Sequence, residues 1–160
     1  MNEIEQLVES EKIKKLKARY MRCLDAKEWE ELATCFAEDA TSSYDAGNYS
    51  FEGRDAIMKF LTDSMGSPRF ISMHHVHTPE IELLSDTEAR GTWYLEDRVV
   101  VLDQGWGLEG TGIYSDQYVK CDGEWRIRHT GYERIFEMSE RFGEDHAKKF
   151  KTRFDAPKGE

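Results

Sequence analysis

The chain changes its hydrophobic period at Pro68. Before it, apolar residues recur every three or four positions. After it, they alternate with polar ones or cluster with β-branched and aromatic residues in four stretches: FISMHHVHTPEIELLSD, EARGTWYLEDRVVVL, LEGTGIYSDQYVKC and EWRIRHTGYERIFE. A period of two puts successive side chains on opposite faces of a sheet, so these stretches read as strands. Asp122-Gly123, between the last two, is a strong hairpin signal, because both residue types tolerate the left-handed backbone of a two-residue turn. Gly91, Gly110, Gly112 and Gly131 interrupt the strands where a sheet would bulge or bend.

Upstream, Ile13, Leu16, Tyr20, Cys23 and Leu24 fall on one helical face, which predicts an amphipathic helix over about residues 3–24. Asp25-Ala-Lys-Glu28 reads as a capping box opening a second helix over WEELATCFA. TSSYDAGNYSFEG suits two short strands or a strand and turn, and GRDAIMKFLTDSM (53–65) a third helix, ended by Gly66 and Pro68. Three helices followed by a long, mostly antiparallel sheet make an α+β domain. A strongly curved sheet could close over the first helix and leave a pocket between them. At 160 residues there is room for one core. The expected division is a domain over 1–137 and a charged, helical tail over 138–160.

A net charge of −10 argues against nucleic acid and against an anionic membrane surface, both of which need basic patches. The start, MNEIEQLVES, is acidic and unlike a secretory leader, and the longest aliphatic run is VVVL (99–102). Cys23, Cys35 and Cys121 are odd in number and none pair as CxxC, so neither a disulfide framework nor a zinc finger is expected, and a reducing cytoplasm fits best. GWGLEG (105–110) matches a dinucleotide fingerprint, but the strand-like TGIYSDQYV follows it where a helix is required.

The informative residues are polar ones on apolar faces. Alternation over 91–101 puts Asp97 among Trp93, Leu95, Val99 and Val101. An unpaired polar group in such surroundings costs very roughly 2–7 kcal/mol, so Asp97 requires an arginine, a tyrosine hydroxyl, a proton or a pocket of water. His74 shares a face with Phe70, Ser72 and Val76. It is either a satisfied core residue or, if a carboxylate meets it, acid/base machinery. His75 and His77 share the opposite face and could bind a metal together, but no recognised spacing supplies a third ligand, and no metal is expected. Asp25 either caps the second helix or is the partner of His74. Tyr20, on the buried helix face, has a hydroxyl that needs a partner inside or donates to a substrate.

These residues sit in longer matches. ARYMRCLDAKEWEEL, SMHHVHTPEI, GTWYLED and YSDQYVKCDGEWRIRHTGYERIFE, in this order over about residues 10–137, resemble the SnoaL-like branch of the nuclear transport factor 2-like superfamily, and within it the bile acid 7α-dehydratases. The resemblance implies an α+β fold in which a curved, mostly antiparallel sheet packs on the N-terminal helices as a cone-shaped barrel enclosing a deep pocket. It implies Tyr20, Asp25, His74 and Asp97 as catalytic residues, with Asp25 and His74 the acid/base pair, and Tyr44 and Arg134 as substrate-binding residues. The implied reaction is a cofactor-independent, metal-free elimination of water from a hydroxysteroid or bile-acid-like enone, a small hydrophobic polycycle that could carry coenzyme A, in a homodimer or homotrimer. The sequence departs from the family pattern at His75-Val76 and in the loop 103–110. Rival readings are a ketosteroid-type isomerase, another small-molecule lyase, and a non-catalytic ligand-binding member of the fold.

Overall fold

The computed structural model describes residues 1–155. Asn2 opens the first helix, α1 (Glu3–Ala26): its side chain accepts from Glu5 N while the Glu5 carboxylate accepts from Asn2 N, a reciprocal cap. The stripe of Ile13, Leu16, Tyr20, Cys23 and Leu24 is buried as the periodicity requires. The helix runs on to Ala26 and ends at Lys27, whose left-handed backbone (φ 59°) lets its N–H reach Cys23 O and Leu24 O.

This extension corrects the capping-box reading. Asp25 lies inside the last turn of α1, and Glu28 precedes the second helix, α2 (Trp29–Ala33), without a side-chain cap. That helix is short because Phe36 and Ala37 leave it for a strand, β1 (Phe36–Tyr44), where Phe36 pairs with Ile127. An uncapped five-residue helix cannot compete with such pairing, since helix nucleation is unfavourable and tertiary burial decides.

The remaining elements are β2 (Tyr49–Glu52), α3 (Arg54–Met65), β3 (Phe70–Leu83), β4 (Glu88–Val101), β5 (Trp106–Cys121), β6 (Glu124–Arg141) and the short α4 (Glu144–Ala147). The six strands form one sheet in the order β2-β1-β6-β5-β4-β3. The β1–β6 pair is parallel and the other pairs are antiparallel. The sheet curves but does not close: β2 and β3 are its edges, so the cone is open rather than a sealed barrel. Helix α1 packs across β3 and β6, and α3 lies against β1. The core, from Ile13 to Ile127, fills the space between helices and sheet.

The β5–β6 hairpin turns at Asp122 (φ 51°) and Gly123 (φ 82°), as the sequence predicts. GWGLEG spans a turn closed by Gly105 (φ 58°) and the start of β5, and no helix follows it. Strand β6 continues to Arg141, and helix beyond it is confined to Glu144–Ala147 among the described residues. None of the described helices is long and apolar enough to cross a membrane.

Candidate active site

A cavity of about 270 Å³ lies between α1, α3 and the inner face of the sheet. Its walls are mostly apolar, with Leu24, Phe60, Met65, Phe70, Val99 and Trp106 among them. Its polar groups are Tyr20, Tyr44, Tyr114, Tyr132, His74, Asp97 and Arg134, together with Ser64. Larger grooves of about 600 Å³ open elsewhere on the surface, but they are lined by scattered charged residues and hold none of these inward polar groups.

On one wall, β3 directs Ser72 and His74 inward, toward the end of α1. The Asp25 carboxylate accepts three hydrogen bonds there: from Ser72 Oγ at 2.7 Å, from His74 N at 2.8 Å and from His74 Nδ1 at 2.6 Å. An ionised carboxylate can only accept, so Nδ1 carries a proton, and whenever the ring is neutral Nε2 holds the lone pair. Nε2 has no hydrogen-bond partner among the described residues, and His74 lines the cavity. Burial pushes the Asp25 carboxyl up, but the hydrogen bonds and charge of His74 and the Ser72 hydroxyl outweigh it and hold the group below its ordinary value. A carboxylate in the last turn of a helix also faces the negative end of the helix dipole, an arrangement that favours a cation on the adjacent imidazole. Asp25 is not itself a wall of the cavity. Its link to the cavity is its pair of hydrogen bonds to His74.

His74 and Asp97 are direct partners across β3 and β4. Asp97 is 3% exposed, in the apolar row that alternation predicts. Its partner is Arg134, from β6, two strands away. The guanidinium grips both oxygens, through Nη1 to Oδ1 and through Nη2 to Oδ2 at 2.9 Å. The arm can reach because β5 presents only glycine beneath it. Asp97 is registered opposite Gly110 and Arg134 opposite Gly112, and a Cβ on Gly110 would lie 3.0 Å from Arg134 Nη1. Burial pushes the Arg134 guanidinium down, but Asp97 more than restores it, so the arginine stays charged.

The floor is phenolic. Tyr20 and Tyr44 hydroxyls lie 3.2 Å apart, with Tyr114 and Tyr132 beside them at a ring separation of 5.4 Å. Burial raises the pKa of Tyr20, Tyr44 and Tyr114 well above that of an ordinary phenol, so all three remain protonated donors at neutral pH. Beneath them is a sealed ion pair: Lys17 Nζ is 2.7 Å from Asp116 Oδ2, and both side chains are fully buried. Thr130 and Tyr118 each donate to Asp116 at 2.7 Å, and Lys17 stands 3.6 Å from the centre of the Tyr114 ring.

The structure thus brings five of the six sequence-proposed residues, Tyr20, Tyr44, His74, Asp97 and Arg134, onto one cavity, with Asp25 behind His74. Sequence reasoning missed Tyr114, Tyr132, Lys17 and Asp116. The signals were present: Tyr114-x-Asp116-x-Tyr118 repeats the polar-on-apolar alternation that exposes Asp97, and Lys17 interrupts the apolar stripe between Leu16 and Tyr20.

A SnoaL-like domain model matches residues 5–131, most of the chain. The chain belongs to the SnoaL-like domain family. Among solved structures, this SnoaL-like domain is similar to a candidate scytalone dehydratase from Novosphingobium aromaticivorans DSM 12444, at 29% identity, TM-score 0.77, covering 83% of this chain and 88% of that one. It shares its fold with the type 3 hexachlorocyclohexane dehydrochlorinase LinA from Novosphingobium barchaimii LL02, at 15% identity, TM-score 0.77, covering 87% of this chain and 94% of that one. It is also similar to a protein of unknown function from Mycobacterium tuberculosis, solved as a point variant, at 25% identity, TM-score 0.69, covering 84% of this chain and 76% of that one. Two of these neighbours carry the names of lyases, a dehydratase and a dehydrochlorinase.

Proposed function

We propose that this SnoaL-like domain is a cofactor-independent dehydratase that eliminates water from a β-hydroxy ketone or hydroxylated enone held in the inner cavity. The observation that carries the reading is the Asp25–His74 couple: Asp25 engages Nδ1, and the ring lines an aromatic chamber with phenols on its floor, its Nε2 without a hydrogen-bond partner among the described residues. Nε2 takes a proton from the carbon beside the hydroxyl-bearing one, which is next to the carbonyl in a β-hydroxy ketone and attached to the far end of the conjugated double bond in a hydroxylated enone, and negative charge passes to the carbonyl oxygen. Tyr20 and Tyr44, neutral donors held in place, stabilise that oxygen as charge develops. The imidazolium formed, steadied by Asp25, returns its proton to the departing hydroxyl, and water leaves. Asp97, fixed by Arg134, lies across the strand pair from His74, where it can accept a hydrogen bond from the leaving hydroxyl.

For the substrate we favour a hydroxysteroid or bile-acid-like enone, free or as its coenzyme A thioester, on the sequence likeness. The enclosed volume of about 270 Å³ is near the lower limit for a drug-sized ligand, roughly 300 Å³. The reacting ring therefore sits inside and the rest of a polycycle projects from the mouth. The same volume, with the name carried by the 29% identical relative, supports a smaller alternative, a bicyclic hydroxyketone such as scytalone.

The test is incubation of the protein with 3-oxo-4-ene hydroxysteroids, free and thioesterified, and with scytalone, followed by mass spectrometry. Loss of one water that requires His74 supports the reading. A product of unchanged mass makes the enzyme an isomerase, and no turnover of any compound removes the proposal.

A further inference from the structure

The histidines on either side of Val76 face away from the cavity, and the outer face supplies what the sequence lacks. Glu96 on β4 is registered directly opposite His75, and His77 Nε2 lies 3.2 Å from Glu96 Oε2. One ligand atom from each of His75, His77 and Glu96 can be chosen so that all three lie within 4.8 Å of one another. We propose that His75, His77 and Glu96 form a binding site for a late first-row divalent cation of the Zn²⁺ class, on the back of the strand that carries His74.

Two neutral imidazoles and one carboxylate are the donor set that such ions prefer over Mg²⁺ or Ca²⁺, which favour oxygen alone. Bond lengths of about 2.0–2.2 Å put neighbouring donors roughly 3–3.5 Å apart around the ion. The three groups must therefore draw together by up to about 1.3–1.8 Å, and half-exposed side chains can do this by rotation. The open hemisphere faces solvent and leaves the remaining positions to water. Among the described residues no lysine or arginine pairs with Glu96: the neighbouring Arg98 is directed to Glu109 and Glu140, at 3.9 and 4.0 Å. The other compact donor group, Cys23 with Glu28 and Glu31, does not fit. Its thiol is buried with its pKa pushed up to about 12, and both its carboxylates are held by Arg22.

The place gives the site a purpose independent of the proposed elimination. β3 is an edge strand, and its ladder with β4 slips between His77 and Glu80, where Thr78 takes a φ of 42°. An ion bridging His75 and His77 to Glu96 staples the edge strand to its neighbour beside that slip, and so stiffens the segment that presents His74. It does not touch the reacting atoms, which lie on the other face.

The experiment uses the full chain without a histidine tag, stripped with a chelator and titrated with Co²⁺ and Zn²⁺ alone. Expected are one equivalent of Co²⁺ with visible d–d bands, its displacement by Zn²⁺, and a rise in Tm with Zn²⁺. His75→Ala and Glu96→Gln should each weaken binding roughly tenfold or more while leaving the metal-free Tm near that of the parent. His74→Ala and His146→Ala should leave binding unchanged. The proposal is overturned by an absence of saturable binding, by unaltered affinity in both His75→Ala and Glu96→Gln, by loss of binding in His74→Ala, or by a thiolate-to-Co²⁺ charge-transfer band.

Discussion

Two carboxylates serve one cavity, and their partners make them unlike. Asp25 holds an imidazole, a group that gains and loses a proton near neutral pH; Asp97 holds a guanidinium, which does neither. Asp25 is partly exposed and shares its oxygens among three donors, whereas Asp97 is sealed and gripped at both oxygens by one arginine. The first arrangement can cycle. The second is a fixture that places charge without exchanging it. In the proposed elimination, acid/base work falls to the wall with Asp25 and His74, and the Asp97–Arg134 pair is built for permanence.

The comparison breaks most sharply at His74. His74→Ala should lower kcat by about 10²–10⁴-fold, the usual contribution of a general acid/base, with ligand affinity and Tm nearly intact; Asp25→Asn should fall at the lower end of that range, because it disturbs the tautomer rather than removing the ring. Steady-state kinetics beside thermal melts decides it. Activity that merely follows the folded fraction would make His74 structural.

At the other wall the damage should appear as lost stability. Arg134→Met leaves Asp97 buried without its partner and should cost about 3–5 kcal/mol in urea unfolding. Adding Asp97→Leu to Arg134→Met should recover most of that stability, since a well-packed apolar pair can replace a buried ion pair. If Arg134→Met is as stable as the parent, Asp97 is not held as described.

The smallest effect is in acid. Hydrogen bonds lower the Asp25 pKa in the folded state, so the unfolded chain binds more protons there and folding is favoured above the ordinary value of 3.8. That contribution is lost as pH falls through 3.8 toward the lowered folded value. Glu9, brought down to about 2 by Lys12, Lys120 and Trp125, acts with the same sign below its ordinary 4.5. Urea midpoints measured from pH 7 to pH 3 should therefore converge for the parent and Asp25→Asn as the pH falls, and a constant gap would contradict the Asp25 assignment.

How much of this was legible in the sequence depends on distance along the chain. Alternation alone put Asp97 on the inner face, because burial in β4 is strictly periodic from Ala89 to Asp97. Its partner was not local: Arg134 is 37 positions away and crosses a strand whose glycines read only as bends. The Asp25–His74 contact spans 49 positions; the residues alone offered Asp25 as one candidate partner beside a helix cap, and family likeness favoured the pair. The local signal at Asp25 pointed the wrong way, since the same four-residue pattern suits a helix start and, here, a helix end. Lys17 escaped notice because lysines on apolar stripes usually extend to water, whereas this one turns inward to Asp116, which is itself fully buried.

The sealed Lys17–Asp116 pair under the phenols has a consequence for how the protein meets its surroundings. Mobile ions screen charges they can approach, over about 8 Å at physiological ionic strength, and they cannot enter this floor. Added salt can alter how quickly an anionic ligand finds the strongly negative exterior, but the field that the tyrosines feel is set inside the molecule. Encounter should vary with the medium while the step at the bound ligand holds its pace.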